Sequence, residues 1–326
     1  MGRVAGDAED QRWSDLVPSP GMLTALELAD AERSRAAIEA DAADAAEILD
    51  AGLSRVERSA RRAPLRDRRK RWSELFAGAT ATMLADELRR HRAMSRRFRV
   101  APAADGTGQE TFWPLGYRSG KRIDVVVAGE LSGLQLGVSL KGLNFRDDES
   151  GNYDKNLTGR LYELADELTT VHRHLPRATM AGVFFMPVEA CSDKSTGQSS
   201  FAHAVLELRR RSGRQAGDPS HLNRCDFAAV GLYSWGGGGI ARGVVRFLPA
   251  TEPPPRSGLP LVSSTVDAAG VVERLVGLAI AETAAADVYG PAEDTPSEAQ
   301  SEAQSALLDV IAAEESGEVD ELPLEE

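Results

Sequence analysis

Two cysteines in 326 residues, Cys191 and Cys225, are too few for a disulfide framework, and no CxxC pair offers a cysteine zinc site. A reducing cytoplasm is the expected compartment. Long apolar runs are missing as well. No window approaches the ~20 residues that a membrane span requires, and the first 30 residues lack a basic start followed by an apolar stretch. Neither a membrane partner nor secretion is therefore expected. Aromatic residues make up only 6% of the chain, but 42% is hydrophobic, which suffices for a sizeable core and excludes a mainly disordered protein. Lysine is scarce: five of the 38 basic residues are Lys (Lys70, Lys121, Lys141, Lys155 and Lys194). In such a chain a Lys inside a strand invites a chemical explanation.

Basic charge is absent from one end. Residues 281–326 hold 14 acidic residues and no basic one, and residues 1–50 hold 12 acidic against 4 basic. Residues 51–250 reverse the balance, with 32 basic and 21 acidic residues, a net +11. The formal charge of −12 thus describes the ends and leaves a basic middle suited to a polyanion.

Four segments follow from the pattern. Residues 1–100 read as an N-terminal helical region. Within it, 22–59 are rich in Ala, Glu, Leu and Arg, and Pro64 with the run Arg66 to Arg71 marks a break. A second, amphipathic helix follows, with apolar residues at 72, 75, 76, 79, 83, 84 and 88. Residues 101–250 read as an α/β core. Arg122–Val127 and Gly133–Lys141 are strands that form a hairpin, followed by a helix opening near Asn152 or Asp154 with Leu157, Leu161, Leu164, Leu168, Val171 and Leu175 on one face. Ala178–Met186 is a strand covered on both faces, 200–211 a helix, and Phe227–Tyr233 and Gly243–Leu248 are strands around the turn Gly236–Gly239. Residues 251–289 contain a C-terminal helix, and 290–326 form an acidic tail whose composition favours disorder. The order helices, β-β-α-β-α-β-β, helix gives an α/β (α+β) fold, a central sheet flanked by helices with extra helices in front.

The chemical signal is Asp124 in one strand and Lys141 near the end of the next, with Ser139 on the same face as Lys141. Phosphodiester hydrolysis needs carboxylates to hold a divalent metal beside the scissile phosphate, and a cation or base near the attacking water. Asp124 and Lys141 supply one group of each kind. An Asp and a Lys on neighbouring strands also occur in many sheets without chemistry. Here the β-β-α-β order and the scarcity of Lys favour the functional reading.

These residues resemble the PD-(D/E)xK nuclease superfamily, restriction endonucleases in particular, over roughly residues 120–190. Ile123-Asp124 matches the first acidic element, with Ile where Pro is usual. Ser139-Leu140-Lys141 matches the second, with Ser where a metal-binding acid is usual. The resemblance implies a restriction-endonuclease-like mixed sheet and an S-x-K variant in which the following helix supplies the missing acid. Asp154 and Glu163 are the two candidates, while Asp147, Asp148 and Glu149 sit in an apparent loop. By the same resemblance Asp124 and that acid bind Mg²⁺, Lys141 orients or activates water, and Ser139 belongs to the site. Glu87 is a possible further ligand.

The implied function is Mg²⁺-dependent hydrolysis of double-stranded DNA in bacterial defence, by a homodimer that a cognate methyltransferase accompanies. The alternative is a DNA-binding protein on a nuclease-like scaffold without activity, and a helical scaffold protein with a purely structural sheet is the third reading. Three basic groups invite phosphate contacts: Arg61 to Arg71, Arg89 to Arg99, and Arg209, Arg210, Arg211 and Arg214. Solvated helix faces explain them equally well one at a time. His172 and His174, two apart, do not share a helix face and form no metal pair.

Overall fold

The computed structural model describes residues 11–49, 55–94, 98–103, 111–115, 120–129, 132–215 and 219–289. In chain order the helices are α1 (Pro20–Asp30), α2 (Arg35–Leu49), α3 (Arg55–Arg90), α4 (Leu157–His174), α5 (Ser200–Arg210) and α6 (Ala268–Tyr289). The strands are β1 (Arg99–Ala101), β2 (Thr111–Pro114), β3 (Gly120–Ile123), β4 (Val125–Gly129), β5 (Gly133–Gly142), β6 (Thr179–Pro187), β7 (Phe227–Tyr233) and β8 (Val245–Pro249). Among the described residues no helix is long and apolar enough to cross a membrane.

Six strands form one mixed sheet in the order β1-β4-β5-β6-β7-β8. β5, β6 and β7 run parallel and the outer pairings are antiparallel. The parallel pairs require crossovers, which α4 and α5 supply. The expected hairpin is β4–β5, and the expected strands around the glycine turn are β7 and β8. Gly236 to Gly239 all take positive φ, a backbone that side-chain-bearing residues rarely adopt.

Side-chain alternation divides the core into two layers. Val126, Met180, Phe184, Val230 and Leu232 face α4 and α5, whose apolar stripe is Leu157, Leu161, Leu164, Leu168 and Val171 together with Phe201, Val205 and Leu208. Val125, Val127, Leu136, Val138, Val183, Phe185 and Phe247 face α1, α3 and α6. Phe76 anchors α3 to that side, stacked on Trp72 at 5.0 Å, edge-on to Phe185 at 5.7 Å and tilted against Tyr233 at 4.7 Å. Burial of such a ring is worth about 1.5–3 kcal/mol.

Three sequence expectations need correction. Pro64 does not break the helix: α3 runs through it as 36 residues. An interior proline costs about 3 kcal/mol, but Leu65, Trp72 and Phe76 bury the following turns and outweigh it. The run Arg122–Val127 is not one strand. It divides at Asp124, leaving β3 paired with β2 in a small second sheet while β4 enters the main one. The helix opens at Leu157, and the Asp154 side chain does not cap it. The acidic tail at 290–326 lies outside the described residues.

Candidate active site

The break at Asp124 sets the geometry. Val125 pairs with Val138, so Asp124 stands beside the end of β5, and its Oδ2 accepts the Leu140 amide hydrogen at 2.6 Å. Leu140 turns to the α3 side, and by alternation Ser139 and Lys141 turn to the α4 side. There both meet Glu167. Ser139 Oγ donates to Glu167 Oε2 at 2.5 Å, and Lys141 Nζ donates to Glu167 Oε1 at 2.7 Å. Ser139 is 1% exposed, so it is not a solvent-facing residue. The Lys141 and Glu167 side chains are mostly buried, which makes their ion pair less screened than those at the surface.

Glu167 is the α4 acid that meets Ser139 and Lys141, and the sequence did not single it out. Asp154 is drawn elsewhere: its Oδ2 receives Lys194 Nζ at 2.6 Å and His203 Nδ1 at 2.7 Å, and its backbone N–H donates to Ser200 Oγ. Burial works against ionisation of Asp154, yet Lys194 and His203 outweigh it and hold its carboxyl below the usual range. Asp154 therefore ties the start of α4 to α5, and it does not line the cleft that holds Asp124 and Lys141. Glu163 does line that cleft, one turn before Glu167, but it is half exposed and paired with Arg160 at 2.8 Å. Glu87 pairs with Arg90 and is not part of the cleft; Glu74 is the α3 acid that lines it.

The cleft measures about 1410 Å³ and lies between α3, the segment 142–156 and the first turns of α4. Arg66, Arg69, Lys70 and Ser73 form the α3 wall, and Asp124, Lys141 and Glu167 belong to the same lining. The first basic group is thus divided. Arg68 and Arg71 turn away to Asp41 and Glu32, and the side chains of Arg61 and Arg62 lie outside the described residues. In the second group Arg89 is a structural clasp, paired with Asp86 and donating to the carbonyls of Val100 and Pro102. The third group is structural. Arg209 donates to the Ala250 and Glu252 carbonyls, Arg210 and Arg211 pair with Glu207, and Arg214 is buried against Asp226 at 3.0 Å.

Among the described residues no group of three or more His, Cys, Asp or Glu is placed to hold a metal ion. His172 and His174 do not form a metal pair: His172 is buried against the Leu222 carbonyl, and His174 is exposed. Two carboxylates in one cleft, Asp124 and Glu167, still suit Mg²⁺, which commonly takes one or two protein carboxylates and completes its shell with water and phosphate oxygens. Comparison of the chain with protein-family models, curated proteins and solved structures finds no match.

Proposed function

We propose that the protein is a Mg²⁺-dependent endodeoxyribonuclease of restriction type, built on a restriction-endonuclease-like sheet. One observation carries this reading: Asp124 from the β3–β4 break, Lys141 from β5 and Glu167 from α4 line one cleft, with buried Ser139 bonded to Glu167 behind them, and another wall of that cleft carries Arg66, Arg69 and Lys70. In this reading Glu167 replaces Asp154 and Glu163 as the acid that the helix supplies. Asp124 and Glu167 would hold the metal. Bound there, Mg²⁺ would polarise a phosphoryl oxygen and make water a better nucleophile.

Lys141 offsets charge on the phosphate as the water oxygen bonds to phosphorus, and Ser139 keeps the Glu167 carboxylate turned toward it. The attacking water gives up its proton to solvent, the P–O bond to the leaving strand breaks, and the departing oxygen takes up a proton from solvent. Double-stranded DNA is the substrate and the defence of a bacterial cytoplasm the setting, with a cognate methyltransferase sparing host DNA. A two-fold homodimer would bring one such site to each strand.

The second reading, a DNA-binding protein without activity, draws on the fact that both Glu167 oxygens are already engaged, by Ser139 and Lys141. Incubation of the purified protein with plasmid and phage DNA separates the two. Cleavage with Mg²⁺ that stops with EDTA, and with Asp124→Ala, Lys141→Ala or Glu167→Gln, supports the nuclease. DNA binding with no cleavage in any metal supports the inactive module.

A further inference from the structure

The cleft is crossed by an ion pair that the proposed chemistry does not use. Arg69 on α3 meets Asp148 of the 142–156 segment at 2.9 Å, joining the two walls. Each partner is held in place independently of the other. Arg69 lies over the Phe145 ring, 5.5 Å from its centroid, its side chain is 16% exposed, and its Nε is buried without an acceptor.

Asp148 rides on a turn fixed by its neighbour. The Asp147 carboxylate accepts the Ser150 amide and hydroxyl hydrogens, both at 2.9 Å, and takes Lys155 Nζ at 2.6 Å. The backbone closes the same turn, Asp147 N–H to the Asn152 carbonyl and Gly151 N–H to the Asp147 carbonyl, each at 2.9 Å. A carboxylate thus stands at a set position over a guanidinium that has donors to spare. A guanidinium receives a carboxylate and a phosphate by the same two-pronged geometry. Arg66 and Lys70 line the same wall within one helical turn of Arg69.

We propose that Arg69, with Arg66 and Lys70, is a subsite for a backbone phosphate of the DNA, and that Asp148 occupies it as a surrogate until DNA displaces it. The inference rests on the nuclease reading and adds to it a built-in competitor. Loose polyanion contacts must first break the Arg69–Asp148 pair, so weak non-productive binding is suppressed. A strand that also reaches Asp124 and Lys141 gains enough further contact to displace the carboxylate.

The test is binding of a fluorescein-labelled duplex in EDTA, by anisotropy over a series of salt concentrations, for the full chain, Asp148→Asn, Arg69→Gln and the double variant. Thermal melts confirm that each is folded, and Arg69→Lys, which keeps charge but not the fork, serves as the milder variant. Asp148→Asn is expected to tighten binding about threefold. Arg69→Gln is expected to weaken it and reduce the salt slope by about 0.9. In the Arg69→Gln background Asp148→Asn should have no effect. Equal tightening in both backgrounds would mean that Asp148 acts only through bulk charge, and with no tightening at all the surrogate role is likewise overturned. Absence of DNA binding in all five proteins, in Ca²⁺ as well as in EDTA, defeats the nuclease reading itself.

Discussion

Lys141 Nζ and Glu167 Oε1 lie 2.7 Å apart, a contact between the end of one strand and the third turn of the helix that follows. The same carboxylate receives Ser139, so in the proposed reading the helix supplies the acid that position 139 lacks. Glu167→Gln should keep the fold and reduce DNA cleavage by about a hundredfold or more. Glu163→Gln, at the exposed neighbour, should alter the rate no more than about threefold. Single-turnover plasmid cleavage measures both, and a Glu163 defect as large as that of Glu167 would reassign the acid.

Asp154 has a structural duty, and its substitution should separate stability from activity. Asp154→Asn removes the charge that holds Lys194 and His203 and should cost about 1–3 kcal/mol in urea unfolding. Below the unfolding transition its cleavage rate should equal that of the parent. Lost cleavage at unchanged stability would return Asp154 to the active site.

Acid titration should report on the turn beneath Asp148. Partial burial opposes ionisation of Asp147, but Lys155 and Ser150 prevail and bring its carboxyl to about 2. The unfolded value is about 3.9, so the stabilisation is complete above that pH and is lost as pH falls toward 2. Lys155 is half exposed, which limits the effect to about 1 kcal/mol. Unfolding free energies from pH 6 to pH 2 should therefore fall more steeply for the parent than for Lys155→Met, and parallel curves would show the pair to be inert.

Asp30 joins three elements. Its Oδ1 accepts from Trp72 Nε1 at 2.7 Å and from the Arg35 amide at 2.9 Å, and its Oδ2 receives Arg242 at 2.8 Å. Asp30→Ala leaves a buried indole N–H without an acceptor and should cost about 2–4 kcal/mol, one to three from that orphaned donor and the rest from the charged bond. A thermal shift below about 2 °C would contradict this, given the slope expected for a chain of this size.

The strands β4 to β8 and the helix α4 were legible because their apolar periods are strong, and the pairing of Asp124 with the end of β5 followed from two adjacent strands. The missed acid was legible too, in a finer measure. At 100° per residue, Glu167 lies about 40° nearer than Glu163 to the stripe of Leu157, Leu161, Leu164 and Leu168, so it is the one turned toward the sheet. Asp154 looked suitable by spacing, but spacing does not show Lys194 and His203, which come from 40 and 49 residues away. The fates of the arginine groups were hidden for the same reason. Asp226, which pairs with Arg214, comes 12 residues later, just before β7, and the Ala250 carbonyl, which receives Arg209, lies 41 residues away.

The continuity of α3 through Pro64 bears on how recognition in this protein can change. One helix presents Arg66, Arg69 and Lys70 to the cleft and, within the next two turns, Trp72 to Phe76 and Phe145 and Phe76 to the sheet. A rigid rod shared in this way ties cleft width to core packing: a shift of one wall by an ångström displaces the rings beneath it. On the opposite wall Phe145, edge-on to Trp72 at 5.3 Å, and Asn144, which accepts from Tyr233, are tied to the same core, so variation in what the protein binds falls to the exposed residues 148–150.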